Sequence, residues 1–165
     1  MYQQKMNEDI IREIASFLPF KEIKKFPKGI IYDVYGRVML ENVKGPYKFY
    51  HVLCHHYITD NELKDIPRSV VKLELGWCNL TDNGLKDIPR GVVDLSLSCC
   101  RLITDNSLKD IPRSVVTLDL SHCNLITDNG LKDIPRSVVV LGLNSCELIT
   151  NNGLKNLPQS CKVIR

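Results

Sequence analysis

One sentence of residues is written over and over in this chain. Residues 103–125 read ITDNSLKDIPRSVVTLDLSHCNL, and 126–148 read ITDNGLKDIPRSVVVLGLNSCEL. Residues 58–79 and 80–102 carry earlier copies, and 149–165, ITNNGLKNLPQSCKVIR, a fading one. Thr59, Thr81, Thr104, Thr127 and Thr150 fix the period at 22 residues once and 23 three times. Near-identical units of this length cannot each bury an apolar face alone. They must stack as coils of a solenoid that share strand hydrogen bonds and one continuous interior.

The central copy shows how a coil is built. Val115, Leu118, Leu120, Cys123 and Leu125 follow one another at intervals of three, two, three and two. Leu118 and Leu120 alternate as a short strand does and point to one side, leaving Thr117, Asp119 and Ser121 on the other. Upstream, Asp105 or Thr104 is placed to accept from free N–H groups and start a short helix through Ser107 and Leu108. Pro112 then ends it and sends the chain out extended. The spacing V-x-x-L-x-L-x-x-C-x-L resembles a leucine-rich repeat with cysteine at its polar position. The expected fold is an α/β solenoid with short parallel strands on a concave face, short helices on a convex face, and an N-terminal helical cap.

Charge and cysteine usage narrow the function classes. Residues 1–57 hold nine Lys and Arg against six Asp and Glu, whereas residues 58–165 hold thirteen of each. Balanced repeats argue against a nucleic-acid track. No apolar run is long enough to span a bilayer, and the first residues, MYQQKMNEDII, do not read as a secretory signal. Cys78, Cys100, Cys123 and Cys146 share one repeat position, where a buried thiol packs and donates weakly. That reads as a reduced protein of the cytoplasm rather than a disulfide scaffold.

Ahead of the repeats, residues 7–26 place Ile10, Ile14, Phe17 and Leu18 at helical spacing, and Pro19 opens a second turn carrying Ile23 and Phe26. One reading is a helix covering the open end of the solenoid. The segment also resembles the front half of an F-box. Asp9-Ile10, Ile14, Phe17-Leu18-Pro19 and Glu22-Ile23 sit where that motif has E-I, I, F-L-P and D-L. Met6-Asn7 stand where it opens with Leu-Pro, and no V-C-x-x-W follows Phe26. Together with the Cys-type repeats the resemblance is to F-box/leucine-rich-repeat proteins, and the repeats are similar to the I/L-P-x-S-V repeats of amoebal and giant-virus F-box proteins. It implies that Ile10, Ile14, Leu18, Pro19 and Ile23 meet the Skp adaptor of a cullin-based ubiquitin ligase.

Gly29 to Val43 reads as two β segments around Tyr35-Gly36. Tyr47 to Asp60 aligns on Ile58-Thr59-Asp60 as a degenerate first coil, with Tyr47, Tyr50, Val52, His55 and Tyr57 on framework positions. This divides the chain into an F-box-like or capping region, 1–46, and a solenoid, 47–165.

Framework letters barely change from copy to copy, while the outward strand positions change each time. Column by column these are Phe49, Lys72, Asp94, Thr117 and Val140; then His51, Glu74, Ser96, Asp119 and Gly142; then Leu53, Gly76, Ser98, Ser121 and Asn144; then Cys54, Trp77, Cys99, His122 and Ser145. A varied face on a uniform frame suits recognition of a protein partner, with Trp77 as the large anchor. Cys99, His122 and Asp119 would be neighbours, yet an open sheet supplies neither oxyanion donors nor a dry pocket, so no enzyme is expected. His51, Cys54, His55 and His56 carry metal-ligand chemistry, but strand alternation divides them between faces and no metal is expected. Neither a cofactor nor a small-molecule substrate is called for. On the edges, Lys64, Lys86, Lys109, Lys132 and Lys155 run beside Asp65, Asp87, Asp110 and Asp133, and Arg68, Arg90, Arg113 and Arg136 form a like-charge stripe.

The function expected is an F-box-like adaptor whose concave columns hold a target protein. The other reading is a stand-alone repeat protein, viral or a host-directed effector, whose N-terminal helix only caps the stack.

Overall fold

A computed structural model describes residues 30–32, 38–40, 50–53, 58–64, 66, 68 and 70–165. The F-box-like segment 7–26 and Phe49, Cys54, His55 and His56 lie outside the described residues. Six strands form one parallel sheet in chain order: β3 (Tyr50–Leu53), β4 (Val70–Glu74), β5 (Asp94–Ser96), β6 (Thr117–Asp119), β7 (Val140–Gly142) and β8 (Lys162–Ile164). Separately, β1 (Ile30–Tyr32) and β2 (Val38–Leu40) pair antiparallel, as two β segments there should.

The sheet register is the one the repeat demands. Leu73, Leu95, Leu118, Leu141 and Val163 pair directly across β4 to β8. Behind them each coil contributes the same inward set, which in the central coil is Val115, Leu118, Leu120, Cys123, Ile126, Leu131 and Ile134, all buried. Consecutive sets merge into one apolar interior from Ile58 to Ile149. Opposite the sheet, each coil makes a single helical turn, at Asp60–Leu63, Gly84–Asp87, Asp105–Leu108, Gly130–Asp133 and Asn151–Leu154. The turns are short because the proline that follows each one, after Ile or, in the last copy, Leu157, removes a donor and favours extended chain.

Polar side chains tie coil to coil. Thr104, with extended backbone, caps its own helix by accepting from Asn106 N–H at 3.3 Å. Asp105 does something else. Its carboxylate accepts from Thr127 N–H and Thr127 Oγ1 of the next coil, both at 2.7 Å. Asp60 with Thr81, Asp82 with Thr104 and Asp128 with Thr150 repeat the arrangement. The cysteines form a second ladder, in which the thiols of Cys100, Cys123 and Cys146 donate to the carbonyls of Leu75, Leu97 and Leu120 at 3.1, 3.2 and 3.1 Å.

Two expectations are corrected. In the first coil Val52, not Tyr50, pairs with Leu73, so His51 lies beside Lys72 and Leu53 beside Glu74. The shift of two residues preserves which side each faces, and the sequence there lacks the Leu and Cys letters that fix register elsewhere. Second, Leu125 is not an inward residue. Ile126 takes that place, and Leu102, Leu125 and Leu148 stand about half exposed, at 51, 48 and 52%. Only one member of each Leu-Ile doublet can face in, and the β-branched one does.

Candidate functional site

The outward strand columns assemble where strand alternation puts them. Lys72 faces Asp94, Asp94 faces Thr117, Glu74 faces Ser96 and Ser96 faces Asp119. Each is partly exposed, since its neighbours on adjacent strands stand about 5 Å away. Lys72 Nζ lies 2.8 Å from Glu74 Oε1 and 3.8 Å from Asp94 Oδ2, which makes the β4–β5 end of the face a mixed charge cluster. On β6 the face becomes a polar hydrogen-bonded patch. Asp119 Oδ1 accepts from Ser121 N–H at 2.9 Å and Ser121 Oγ at 2.6 Å, and Ser121 Oγ accepts from Asn144 Nδ2 at 3.2 Å. A Cβ at Gly142 would run into the Asp119 carboxylate, so the glycine keeps that carboxylate's room on β7.

The fourth column is not part of the flat strands. Trp77, Cys99, His122 and Ser145 all have positive φ, at 63, 60, 62 and 56°. None is Gly or Asn, the residues that tolerate this left-handed region best. The conformation turns each backbone N–H onto the next coil. Trp77, Cys99 and His122 donate to the carbonyls of Ser98, Ser121 and Asn144, each at 2.8 Å. Trp77 is 49% exposed, with the Arg101 guanidinium 5.8 Å from its ring centroid, a cation–π distance. His122 is exposed as expected, but Cys99 is not available on the surface. It is only 7% exposed, a small side chain standing between Trp77 and His122 in the ladder.

The Cys99, His122 and Asp119 set therefore lacks an activated nucleophile. Burial pushes the Cys99 thiol up, with Arg101 opposing and Asp119 adding to the shift, so the thiol stays protonated at neutral pH. The Asp119 carboxylate is occupied by Ser121. Burial likewise raises Cys146 and pushes Cys100 up to about 12, consistent with thiols that serve as donors. Of the metal-ligand residues named above only His51 lies within a described segment. Among the described residues no group of three or more His, Cys, Asp or Glu is placed to hold a metal ion, and no helix is long and apolar enough to cross a membrane.

Residues 67–88 and 112–134 match the family model described as Leucine Rich repeat. These coils are leucine-rich repeats. The leucine-rich-repeat solenoid is similar to the leucine-rich repeat-containing protein LegL7 from Legionella pneumophila, at 19% identity over 65% of this chain and 54% of that one, with a TM-score of 0.36. It is also similar to the yeast Rad7 and Elc1 complex, at 15% identity over 70% of this chain and 48% of that one, with a TM-score of 0.39. The similarity thus spans about half the length of each of those chains. No curated protein matches the sequence. Leucine-rich repeats generally serve as protein-interaction modules.

Sequence reasoning missed two exposed apolar rows of this solenoid. Leu102, Leu125 and Leu148 form one, and Val93, Val116 and Val139 the other, at the opposite ends of the strands. The signal was present in the paired letters Leu-Ile and Val-Val, each of which holds one more apolar residue than a single inward position can use.

Proposed function

We propose that this protein recognises a protein partner on its concave face and delivers it to a Skp–cullin ubiquitin ligase as an F-box-like adaptor. The observation that carries the recognition half is the face itself. On an invariant frame, Lys72, Glu74 and Asp94 make a charged end, Ser96, Ser98, Thr117 and Asp119 a polar middle, and Trp77 and His122 project from the bordering turn. A half-exposed tryptophan under the Arg101 guanidinium, three residues on from Glu74 of the charged end, has the make-up of an interface anchor. His51, whose backbone pairs with Lys72, continues the face into the first coil, and the same reading assigns Phe49, outside the described residues, to it.

The adaptor half is supported by the resemblance of residues 7–26 to an F-box, with Ile10, Ile14, Leu18, Pro19 and Ile23 as the Skp contacts. It divides the chain at residue 46 into a docking region and a recognition region. The thiol ladder fits a reducing compartment, because oxidation of Cys100, Cys123 or Cys146 would remove a donor from the interior. The alternative is a stand-alone repeat protein, viral or a host-directed effector, in which residues 7–26 only cover the first coil. Its support is the general need of a solenoid's terminal coil for a cover.

A pull-down of the full chain with purified Skp adaptor decides between them. Capture that Ile14→Asp abolishes supports the adaptor. Failure of the unmutated chain to capture Skp leaves the stand-alone reading. Recognition is tested separately by proximity labelling in cells, where Trp77→Ala should lose the labelled partner while keeping Skp.

A further inference from the structure

The edge of the solenoid where chains enter the sheet carries a second surface, independent of the concave face. Each Pro-Arg-Ser/Gly-Val segment is a tight turn, closed by Val92 N–H to Pro89 O at 3.1 Å, Val115 to Pro112 at 3.0 Å and Val138 to Pro135 at 3.0 Å. The turn holds Arg90, Arg113 and Arg136 at its exposed corner, and Arg68 is exposed at the matching place in the coil before. The residue following each turn is the outward valine. Val93 N–H donates to Val71 O, Val116 to Val93 and Val139 to Val116, at 2.7, 2.8 and 2.8 Å, so Val93, Val116 and Val139 lie in one column. Their exposures, 38, 37 and 44%, make a continuous apolar row beside the arginines.

Among the described residues the ion pairs are those of Lys72, and the arginine row has no carboxylate within ion-pairing distance. Asp87, Asp110 and Asp133 stand three residues ahead of Arg90, Arg113 and Arg136 without pairing, and Arg90 instead donates to the Asp110 carbonyl at 3.2 Å. Lys86, Lys132 and Lys155 are engaged by Asn83, Asn129 and Asn152. Coil spacing is about 4.8 Å, so four arginines span roughly 15 Å. Carboxylates at i and i+4 of a helix repeat at about 5–6 Å, which matches that spacing, and guanidinium and carboxylate pair in a fork. A helix with an acidic row beside an apolar row would thus satisfy both columns at once.

We propose that Arg68, Arg90, Arg113 and Arg136 with Val93, Val116 and Val139 form a docking strip for an acidic amphipathic helix of a partner protein, laid along the solenoid axis. Nucleic acid is disfavoured as occupant, because residues 58–165 are charge-balanced and the strip holds no aromatic side chain for bases to stack on.

Fluorescence anisotropy on the full chain tests this with a labelled designed peptide of about five helical turns. The peptide carries Glu at every fourth position beside a Leu row, and its counterpart has Gln for Glu. The Glu peptide should bind, weaken as salt rises, and bind about tenfold more weakly to the double variant Arg90→Glu/Arg113→Glu. Val116→Ser should weaken it too, while Trp77→Ala should leave it unchanged. No binding of the Glu peptide, equal binding of the Gln peptide, or undiminished binding to the arginine variant overturns the proposal. Tighter binding of a duplex DNA oligonucleotide or of phosphatidylserine vesicles than of the peptide overturns it as well. Thermal melts of the exposed-residue variants should match that of the unmutated protein.

Discussion

Thr127 gives both its N–H and its hydroxyl to the two carboxylate oxygens of Asp105, twenty-two residues earlier, at 2.7 Å each. A carboxylate accepting two hydrogen bonds across a coil boundary ties neighbouring coils together more firmly than a single cap bond within one helix.

Asp105→Asn should therefore destabilise the protein by about 1–2 kcal/mol, because the amide turns one acceptor into a donor facing Thr127. Urea unfolding of the variant measures it. An unchanged midpoint would show that the pair is ornamental.

The glycine beside this pair is fixed by room rather than by dihedral freedom. A Cβ at Gly130 would collide with the Asp105 carboxylate and come within 2.8 Å of Leu108 Cδ1. Gly130→Ala should cost about 1–3 kcal/mol. Gly91 is the opposite case. Its Cβ would stop 3.4 Å from Arg68 O, and the matching Ser114 hydroxyl, with one proton to give, lies 2.7 Å from Arg90 O and 2.6 Å from Val92 O. Gly91→Ser should raise stability by about 0.5–1 kcal/mol, read as a shift in melting midpoint.

Alkaline pH should loosen the interior. The Cys100 pKa is raised by burial to about 12, and those of Cys123 and Cys146 are raised as well. A raised thiol pKa means stability that is complete below the unfolded value, about 8.5, and lost as pH climbs toward the folded one. For Cys100 the fall is about 1.4 kcal/mol per pH unit in that window, and the other two thiols add to it in the same direction. Unfolding midpoints between pH 7 and 10 should decline above 8.5, and Cys100→Ala should flatten the slope.

The left-handed turn predicts opposite outcomes for two small changes. His122, at φ 62°, should accept Gly with little loss or a gain. His122→Val should lose about 1–2 kcal/mol, since a β-branched residue is poorly suited to that region. Paired calorimetric melts of the two variants distinguish this from a role for the imidazole.

Much of this architecture could be read from the letters. Five threonines set the coil length, and Leu73, Leu95, Leu118 and Leu141 announced the strands because nothing else in each copy alternates so cleanly. The first coil was misaligned by two residues because Tyr50 and Val52 are equally good inward candidates without a following Leu-x-x-Cys. Leu125 and Ile126 were indistinguishable by hydrophobicity, and only the backbone path decides which turns in. The left-handed turn left no trace, since Trp77, Cys99, His122 and Ser145 share no chemistry that advertises positive φ. The Asp–Thr ladder was half visible. A Thr-Asp pair kept in coil after coil exceeds what one cap requires, and the surplus member is the one that reaches across.

Every thiol in the ladder points backward, from Cys100 to Leu75, from Cys123 to Leu97 and from Cys146 to Leu120, and none skips a coil. Such a molecule behaves like a coiled spring clipped turn to turn. Pulled or heated, it should peel one winding at a time from an end, and amide exchange should slow progressively toward the middle windings around Leu97 and Leu120.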